Sequence, residues 1–170
     1  YLTLKNLAGI GADLKIGRQE VVIDGHRLFG HTGWTQGAET KDAIRLTHAA
    51  GNHSIGYTYI AGQNQDGMKA KNSGHGNENV HVITASTQGV MGGALSTYIT
   101  FSDDDCGLTG ANCSGSTNQW YTIGARQAGK MFGLDYRAEY YFQTGAAGGA
   151  KEVIPEATTS HYYTTAGTLA

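Results

Sequence analysis

The segment 132–143, FGLDYRAEYYFQ, alternates apolar side chains with polar or charged ones along most of its length. Because successive side chains of a β-strand point to opposite faces, this pattern predicts a strand with one apolar and one charged face. A membrane's hydrocarbon layer is crossed by about 9 to 11 tilted strand residues, whereas an ordinary strand has about five or six. The segment is therefore long enough to span a bilayer.

Similar but weaker alternation recurs upstream and predicts further strands of the same kind. Residues 80–87 carry apolar side chains in both phases, so this segment is assigned as a strand only through its neighbours. Partial strands are predicted around Leu2 and Leu4 and over 161–169. The remaining predicted strands cover residues 12–17, 42–48, 54–59, 95–101 and 120–127.

The predicted connections alternate between short and long. The short ones, rich in Gly or Asn as tight turns require, fall at 8–11, 49–53, 89–93 and 128–131. The long ones run over 19–41, 62–79, 102–118 and 144–160. Outer-membrane barrels show this alternation, because short turns face the periplasm and long loops face outside. We therefore predict an all-β, antiparallel transmembrane β-barrel, with about eight or nine strands visible, whose sheet closes because lipid cannot satisfy an open edge.

Composition agrees with a turn-rich β protein. The chain has 170 residues, a single domain over 1–170, with 26 Gly, 10 Tyr and 1 Pro. With 12 basic and 14 acidic side chains, the net charge of −2 argues against a nucleic-acid partner. No run approaches the roughly 18 apolar residues of a membrane-spanning helix, whereas barrel strands alternate and never produce such runs.

The charged face of the 132–143 strand contains Asp135, Arg137 and Glu139, and Arg126 is expected on the same face of the neighbouring strand. If the other face meets lipid, these residues line a polar interior where opposite charges pair. The alternation alone also fits a soluble sheet with a solvated charged face, and strand length with loop periodicity favours the lumen. Aromatic residues near strand ends fall where interfacial girdles lie, at Trp120, Tyr121, Tyr140, Tyr141 and Phe142.

Cys106 and Cys113 are the only cysteines and lie in a Gly-, Ser- and Asn-rich loop. A disulfide between them would suit an oxidising exterior or periplasm, and two free thiols are the alternative. The 7 histidines are scattered without an H-E-x-x-H motif, and there is no G-x-S-x-G elbow. We therefore predict no enzyme activity, no metal site and no cofactor.

The stretch 14–43, LKIGRQEVVIDGHRLFGHTGWTQGAETKDA, resembles the alginate-export family of bacterial outer-membrane barrels. Many fixed residue types over one stretch make a fairly specific signal, and the remaining strands resemble the family in pattern. The matching positions are Leu4-Lys5-Asn6-Leu7, Gly17-Arg18-Gln19-Glu20, Asp24, Arg27-Leu28, Gly30, Trp34-Thr35-Gln36 and Asp42-Ala43.

The resemblance implies a larger barrel, of which this chain is a segment, in the outer membrane of a Gram-negative bacterium. Characterised members of the family secrete an anionic polysaccharide through a lumen rich in basic side chains. By this resemblance Arg18, Arg27 and Arg45 are candidates for the pore wall or a loop folded into it, because guanidinium groups fork onto carboxylates. In the alternative interpretation, Arg18 pairs with Asp24, or Arg27 with Asp42, to anchor the long loop on the strand ends.

Together these observations predict an outer-membrane pore, surrounded by lipid, for a polar solute or an anionic polysaccharide. A general diffusion porin is the alternative within the same fold. From other classes, the alternatives are a secreted β-sandwich that binds carbohydrate through Tyr and Trp, and a structural surface protein whose barrel anchors its loops.

Overall fold

The computed structural model describes residues 1–24, 29–30, 40–63, 77–105, 118–147, 150–156 and 161–163. Within these residues the chain forms ten strands in one antiparallel sheet, which confirms the all-β prediction. The strands are β1 (Leu2–Leu7), β2 (Ala12–Gln19), β3 (Lys41–Ala50), β4 (His53–Gln63), β5 (Asn77–Val90), β6 (Gly93–Asp105), β7 (Asn118–Met131), β8 (Leu134–Ala147), β9 (Ala150–Glu156) and β10 (His161–Tyr163).

Strands β1 to β8 form a meander in which each strand pairs with the next. Both β9 and β10 pair with β8, β9 along residues 141–147 and β10 along 135–137. The predicted long connection over 144–160 was therefore wrong, since β8 continues to Ala147 and the chain returns beside it. The small residues that end β8, from Gly145 to Ala147, show no apolar–polar alternation, so periodicity could not reveal this strand pair.

The turn between β7 and β8 consists of Phe132 and Gly133, with φ of 54° and 78°. Positive φ at both central residues is typical of the type I′ turn, whose twist matches that of the flanking strands. The turn predicted at 128–131 was wrong, because these residues continue β7. Gly129 instead permits a close backbone approach, since a Cβ there would lie 2.8 Å from the Cα of Gly93. The other three short turns lie where they were predicted.

Strand β5 explains the ambiguous segment 80–87. Val80 and Val82 lie on one face of the sheet and are buried, while Ile83 points to the other face and is 49% exposed. Apolar residues in both phases thus belong to a single strand of 14 residues. Strands β7 and β8 have the same length, which exceeds the span of about 9 to 11 residues that crosses a bilayer.

One surface of the sheet, here named the apolar face, is a contiguous exposed band. Its rows run across the strands in register, with Ile83 opposite Ile99 and Ile99 opposite Ile123. An exposed apolar patch of this extent is unusual in a soluble monomer and marks a contact surface. Its exposed large side chains are Leu2, Leu4, Ile16, Ile44, Leu46, Ile55, Tyr57, Ile83, Leu95, Ile99, Tyr121, Ile123, Met131, Leu134 and Tyr140.

The opposite surface, here named the polar face, contains the hydrophobic core cluster of the described residues. Residues 20–24 and 29–30, here named the segment that follows β2, pack on this face. Val21 is only 1% exposed there. The amide of Ile23 donates to the carbonyl oxygen of Phe29 at 3.1 Å. The buried cluster consists of Val21, Ala43, Ile60, Val80, Val82, Tyr98 and Tyr141, with Ile23 and Phe29 packed against it.

The sheet is open in the described part of the chain. There β1 pairs with β2 alone, and the outer edge of β9 and β10 faces no further strand. The expectation of a closed barrel is therefore not met by these strands, because no pairing joins the first edge to the last.

Candidate functional site on the polar face

The polar face presents rows of hydroxyl and ionic groups, because every second residue of each strand points to it. One row crosses β4 to β8 through Thr58, Val82, Thr100, Thr122 and Gln143. The side-chain amide of Gln143 donates to Thr122 Oγ1 at 3.2 Å. Thr58, Thr100 and Thr122 are each at most 5% exposed, so these hydroxyl groups pack within the sheet surface.

An ionic cluster lies toward the short-turn end of β7 and β8. Glu139 accepts from Arg126 Nε at 3.0 Å, and its Oε1 lies 3.5 Å from Arg137 Nε. The hydroxyl of Tyr141 donates to Glu139 Oε2 at 2.8 Å. The Glu139 side chain is only 6% exposed, so a buried carboxylate is held between two guanidinium groups.

A second ion pair extends this cluster toward the turn. Lys130 Nζ lies 3.2 Å from Asp135 Oδ1, and the lysine side chain is mostly exposed. The structure thus brings together on the polar face the four predicted residues Arg126, Asp135, Arg137 and Glu139. That they line a pore stays a prediction.

Lys15 and Arg45 lie directly opposite each other on the polar faces of β2 and β3. Lys15 Nζ rests 3.9 Å from the ring centroid of Tyr1, a cation–π contact. Within the described residues neither cation pairs with a carboxylate. Like charges directly opposite on a sheet are destabilising, so among the described residues this pair is a local excess of positive charge.

Arg18 and Asp42 lie on the other side of the sheet, at the long-connection end of the apolar face. They are register partners, and the guanidinium binds both carboxylate oxygens, with Nε to Oδ1 at 2.9 Å and Nη2 to Oδ2 at 2.7 Å. The alternative that pairs Arg18 with Asp24 is therefore wrong. Next to Arg18, the buried side-chain amide of Gln19 donates to the carbonyl oxygen of Ala43 at 3.0 Å. These contacts join β2 to β3 at the base of the long connection.

Asp24 lies in the segment folded over the polar face, with a left-handed φ of 50° that Asp tolerates better than most residues. Arg27, Cys106 and Cys113 lie outside the described residues. The pore-wall role of Arg27 and the disulfide therefore stay predictions.

An aromatic row crosses the apolar face near its long-connection end. His81 lies between Tyr59 and Phe101, with ring centroids at 4.9 and 6.0 Å, and Phe101 continues to Tyr121 at 5.0 Å. This row lies where an interfacial girdle is expected. Of the five aromatic residues singled out in the sequence, Tyr121, Tyr140 and Phe142 lie on the apolar face, and Trp120 and Tyr141 on the polar face.

Several residues of the polar face were missed from the sequence. The position of Lys15 on the polar face could have been predicted, because Lys15 stands between Leu14 and Ile16 in a strand that alternates apolar and polar residues. Gln19 was seen only among the positions that match the family, and Lys130 only within the turn predicted at 128–131. Their contacts depend on which residues stand opposite them, and alternation within one strand does not contain that information.

Two kinds of feature are absent from the described part of the chain. No helix there is long and apolar enough to cross a membrane. No group of three or more His, Cys, Asp or Glu side chains there is arranged to hold a metal ion.

These features define a class: an all-β meander with an exposed apolar face and a polar face that carries paired and unpaired charges. The sequence matches the model of the alginate export family over residues 1–164, and the chain belongs to that family. The resemblance seen over 14–43 is thus confirmed for nearly the whole chain. No curated protein and no solved structure gave a match.

Proposed function

We propose that the sheet forms part of the wall of an outer-membrane pore in a Gram-negative bacterium. The observation that supports this most directly is the contrast between the faces. Ile123 at 55% and Ile99 at 49% exposure belong to a continuous apolar band, whereas the polar face contains ion pairs and hydroxyl rows. Water on both sides would leave the band uncovered, whereas lipid on one side and water on the other satisfies both faces.

A pore of this kind needs its sheet to close. In hydrocarbon, each unpaired backbone group of an open edge costs several kcal/mol, on the order of a buried unsatisfied amide. The edge of β1 and the outer edge of β9 and β10 would therefore pair with further strands. The lipid of the outer membrane is then the protein's first partner.

The solute that fits the polar face is polar, and an anionic polysaccharide is the class that family membership suggests. At two positions of the wall the positive charges outnumber the carboxylates. One is the pair Lys15 and Arg45, and the other is the cluster of Arg126 and Arg137 around Glu139. A solute passes through a pore when each site binds it favourably enough to admit it and weakly enough to release it. The function is passive conduction, carried out by side chains that bind weakly and without catalytic chemistry or a cofactor.

The segment that follows β2 would narrow such a pore. Val21 is buried against the polar face, and the amide of Ile23 donates to the carbonyl oxygen of Phe29. A loop lying on the wall reduces the open cross-section and brings Asp24 toward the solute.

Two measurements on the full-length protein test the proposal. The protein is expected to require detergent, to change its gel mobility on boiling, and to produce stepwise conductance in a planar lipid bilayer. A stable, monodisperse protein in detergent-free buffer would contradict it and favour the carbohydrate-binding sandwich. Conductance that does not change when a soluble polyuronate is added would favour a general diffusion porin. Membrane insertion without conductance would favour the loop-anchoring surface protein.

A further inference from the structure

A groove of about 520 Å³ lies on the apolar face, across β2 to β5 and toward their short-turn end. Three of the residues that line it, Ile10, Ile55 and Ile83, are 64%, 56% and 49% exposed, so the groove opens outward from the sheet. Ala12 and Gly56 also line it, and their small size leaves the space between the larger side chains free. The volume falls within the roughly 300 to 1,000 Å³ of pockets that hold small molecules. This feature is here named the short-turn groove.

The lining of the short-turn groove is apolar except at His48. Leu46 adds a further aliphatic side chain. Tyr57 contributes its ring, because its hydroxyl oxygen lies 2.8 Å from His81 Nδ1 and is satisfied there. Burying a polar group without a hydrogen bond is costly, so a ligand that fits this lining is hydrocarbon over most of its length.

Two histidines lie at the short-turn end of the same face. His48 and His53 flank the turn between β3 and β4, and both point to the apolar face. His53 Nδ1 lies 3.1 Å from Thr87 Oγ1, which leaves Nε2 for a ligand. Between the short turns and the row of Tyr57, the described strand positions of the apolar face carry no Asp, Glu, Lys or Arg. Imidazole N–H groups with no carboxylate beside them on this face complement an anionic oxygen.

The arrangement matches a molecule with a hydrocarbon body and an anionic head. Leu46, Ile55 and Ile83 belong to both the groove and the exposed apolar band, so the groove is continuous with the surface proposed to meet lipid. Short turns of outer-membrane barrels face the periplasm, which places the two histidines at the headgroup level of the periplasmic leaflet.

We propose that the short-turn groove binds one glycerophospholipid of that leaflet. An acyl chain lies along the groove, and the phosphate accepts hydrogen bonds from His48 and His53. This rests on the proposed function, because a membrane phospholipid reaches the groove only if the apolar face meets the bilayer.

The test uses the full-length protein in detergent, mixed with phosphatidylglycerol or with a diacylglycerol that has the same acyl chains and no phosphate. Native mass spectrometry counts the lipids that stay bound when collisional activation removes the weakly held ones. One phosphatidylglycerol per chain should remain. Retention of the diacylglycerol should be lower by about fivefold or more, since it lacks the phosphate that accepts from the histidines.

Two matched leucine variants test the groove itself. Leu46 lines the groove and Leu95 lies elsewhere on the apolar face, and the two are 37% and 36% exposed. Leu46→Trp fills the groove and should lower retention of phosphatidylglycerol by about tenfold or more, because the acyl chain loses its contact surface. Leu95→Trp should leave retention unchanged. The change in gel mobility on boiling shows that each variant is folded.

A double variant tests the headgroup contact. His48→Phe combined with His53→Phe keeps two rings but removes their N–H donors. Retention of phosphatidylglycerol should fall to the level of the diacylglycerol, whose own retention should not change.

Equal retention by Leu46→Trp and Leu95→Trp would overturn the site, as would equal retention of phosphatidylglycerol and diacylglycerol by the unchanged protein. A dimer that retains no lipid would assign the groove to a second copy of the chain and overturn the proposal. Planar-bilayer conductance separates the two proposals. A conducting protein that retains no phospholipid overturns the groove and leaves the pore, whereas a protein that retains phospholipid but forms no channel overturns the pore alone.

Discussion

The phenol ring of Tyr98 lies over Gly124, its register partner on the neighbouring strand, so that a Cβ at position 124 would overlap the ring. The ring continues toward Tyr141, with ring centroids 5.6 Å apart. Trp120 covers Gly145 of β8 in the same manner. On the polar face, large aromatic side chains thus fold flat over glycine on the next strand and fill the sheet surface.

The Tyr98–Gly124 contact predicts the effect of Gly124→Ala. The added methyl group collides with the ring, and overpacking of this kind costs about 1 to 3 kcal/mol. The free energy of unfolding, measured by urea titration in detergent or lipid, should fall by that amount. In a Tyr98→Leu background the cost should largely disappear, because coupled neighbours are non-additive. An unchanged cost in that background would show that the ring is not its cause.

The apolar face predicts a depth-dependent penalty for charge. Ile123→Arg should cost about 2 to 4 kcal/mol if the site is near the bilayer midplane, and Leu134→Arg, beside the turn, about 0 to 1. Gln143→Arg, on the polar face, should be mild. Folding into lipid vesicles measures all three. Equal tolerance of Ile123→Arg and Gln143→Arg would contradict the assignment of the faces.

The shared carboxylate of Glu139 predicts that its neutralisation is costly. Glu139→Gln leaves Arg126 and Arg137 side by side without an anion, and the expected loss is about 3 kcal/mol, the lower end for a broken buried pair. Urea unfolding provides the measurement. The matched control is Asp135→Asn, whose partner Lys130 is 79% exposed. Its loss should stay below about 1 kcal/mol, and a control as costly as Glu139→Gln would show that burial is not decisive.

The two arginines on opposite faces predict different effects on ion preference. Arg45→Gln removes a positive charge from the polar face and should shift the bilayer reversal potential in a KCl gradient away from anions. Arg18→Gln removes a paired charge from the apolar face and should leave the reversal potential unchanged. An equal shift of the reversal potential in both variants would show that the polar-face position of Arg45 does not govern ion selectivity.

Membership in the alginate export family and the two-faced nature of the strands could be predicted from the sequence. Alternation of Leu14 with Lys15, or of Ile123 with Gly124, is a local property of the chain, because the strand period of two is set by backbone geometry alone. The positions of three of the four short turns could also be predicted, because Gly and Asn are concentrated there.

The partners across the sheet could not be predicted. Pairing of Arg18 with Asp42, or of Arg126 with Glu139, depends on register, and a shift of one residue would exchange every side chain between the faces. The resemblance made Arg18 a candidate for the pore wall, and the register places it on the apolar face.

What the sequence by itself determined, then, is which side chains of one strand share a face, and hence that an apolar and an ionic surface exist. The tertiary structure alone decided that Arg45 lies opposite Lys15, that β9 returns along β8, and that Val21 is buried against the polar face. The physical reason is the range of the interactions. Alternation arises between adjacent residues, whereas these contacts join segments far apart in the chain and form only when interstrand hydrogen bonds set the register.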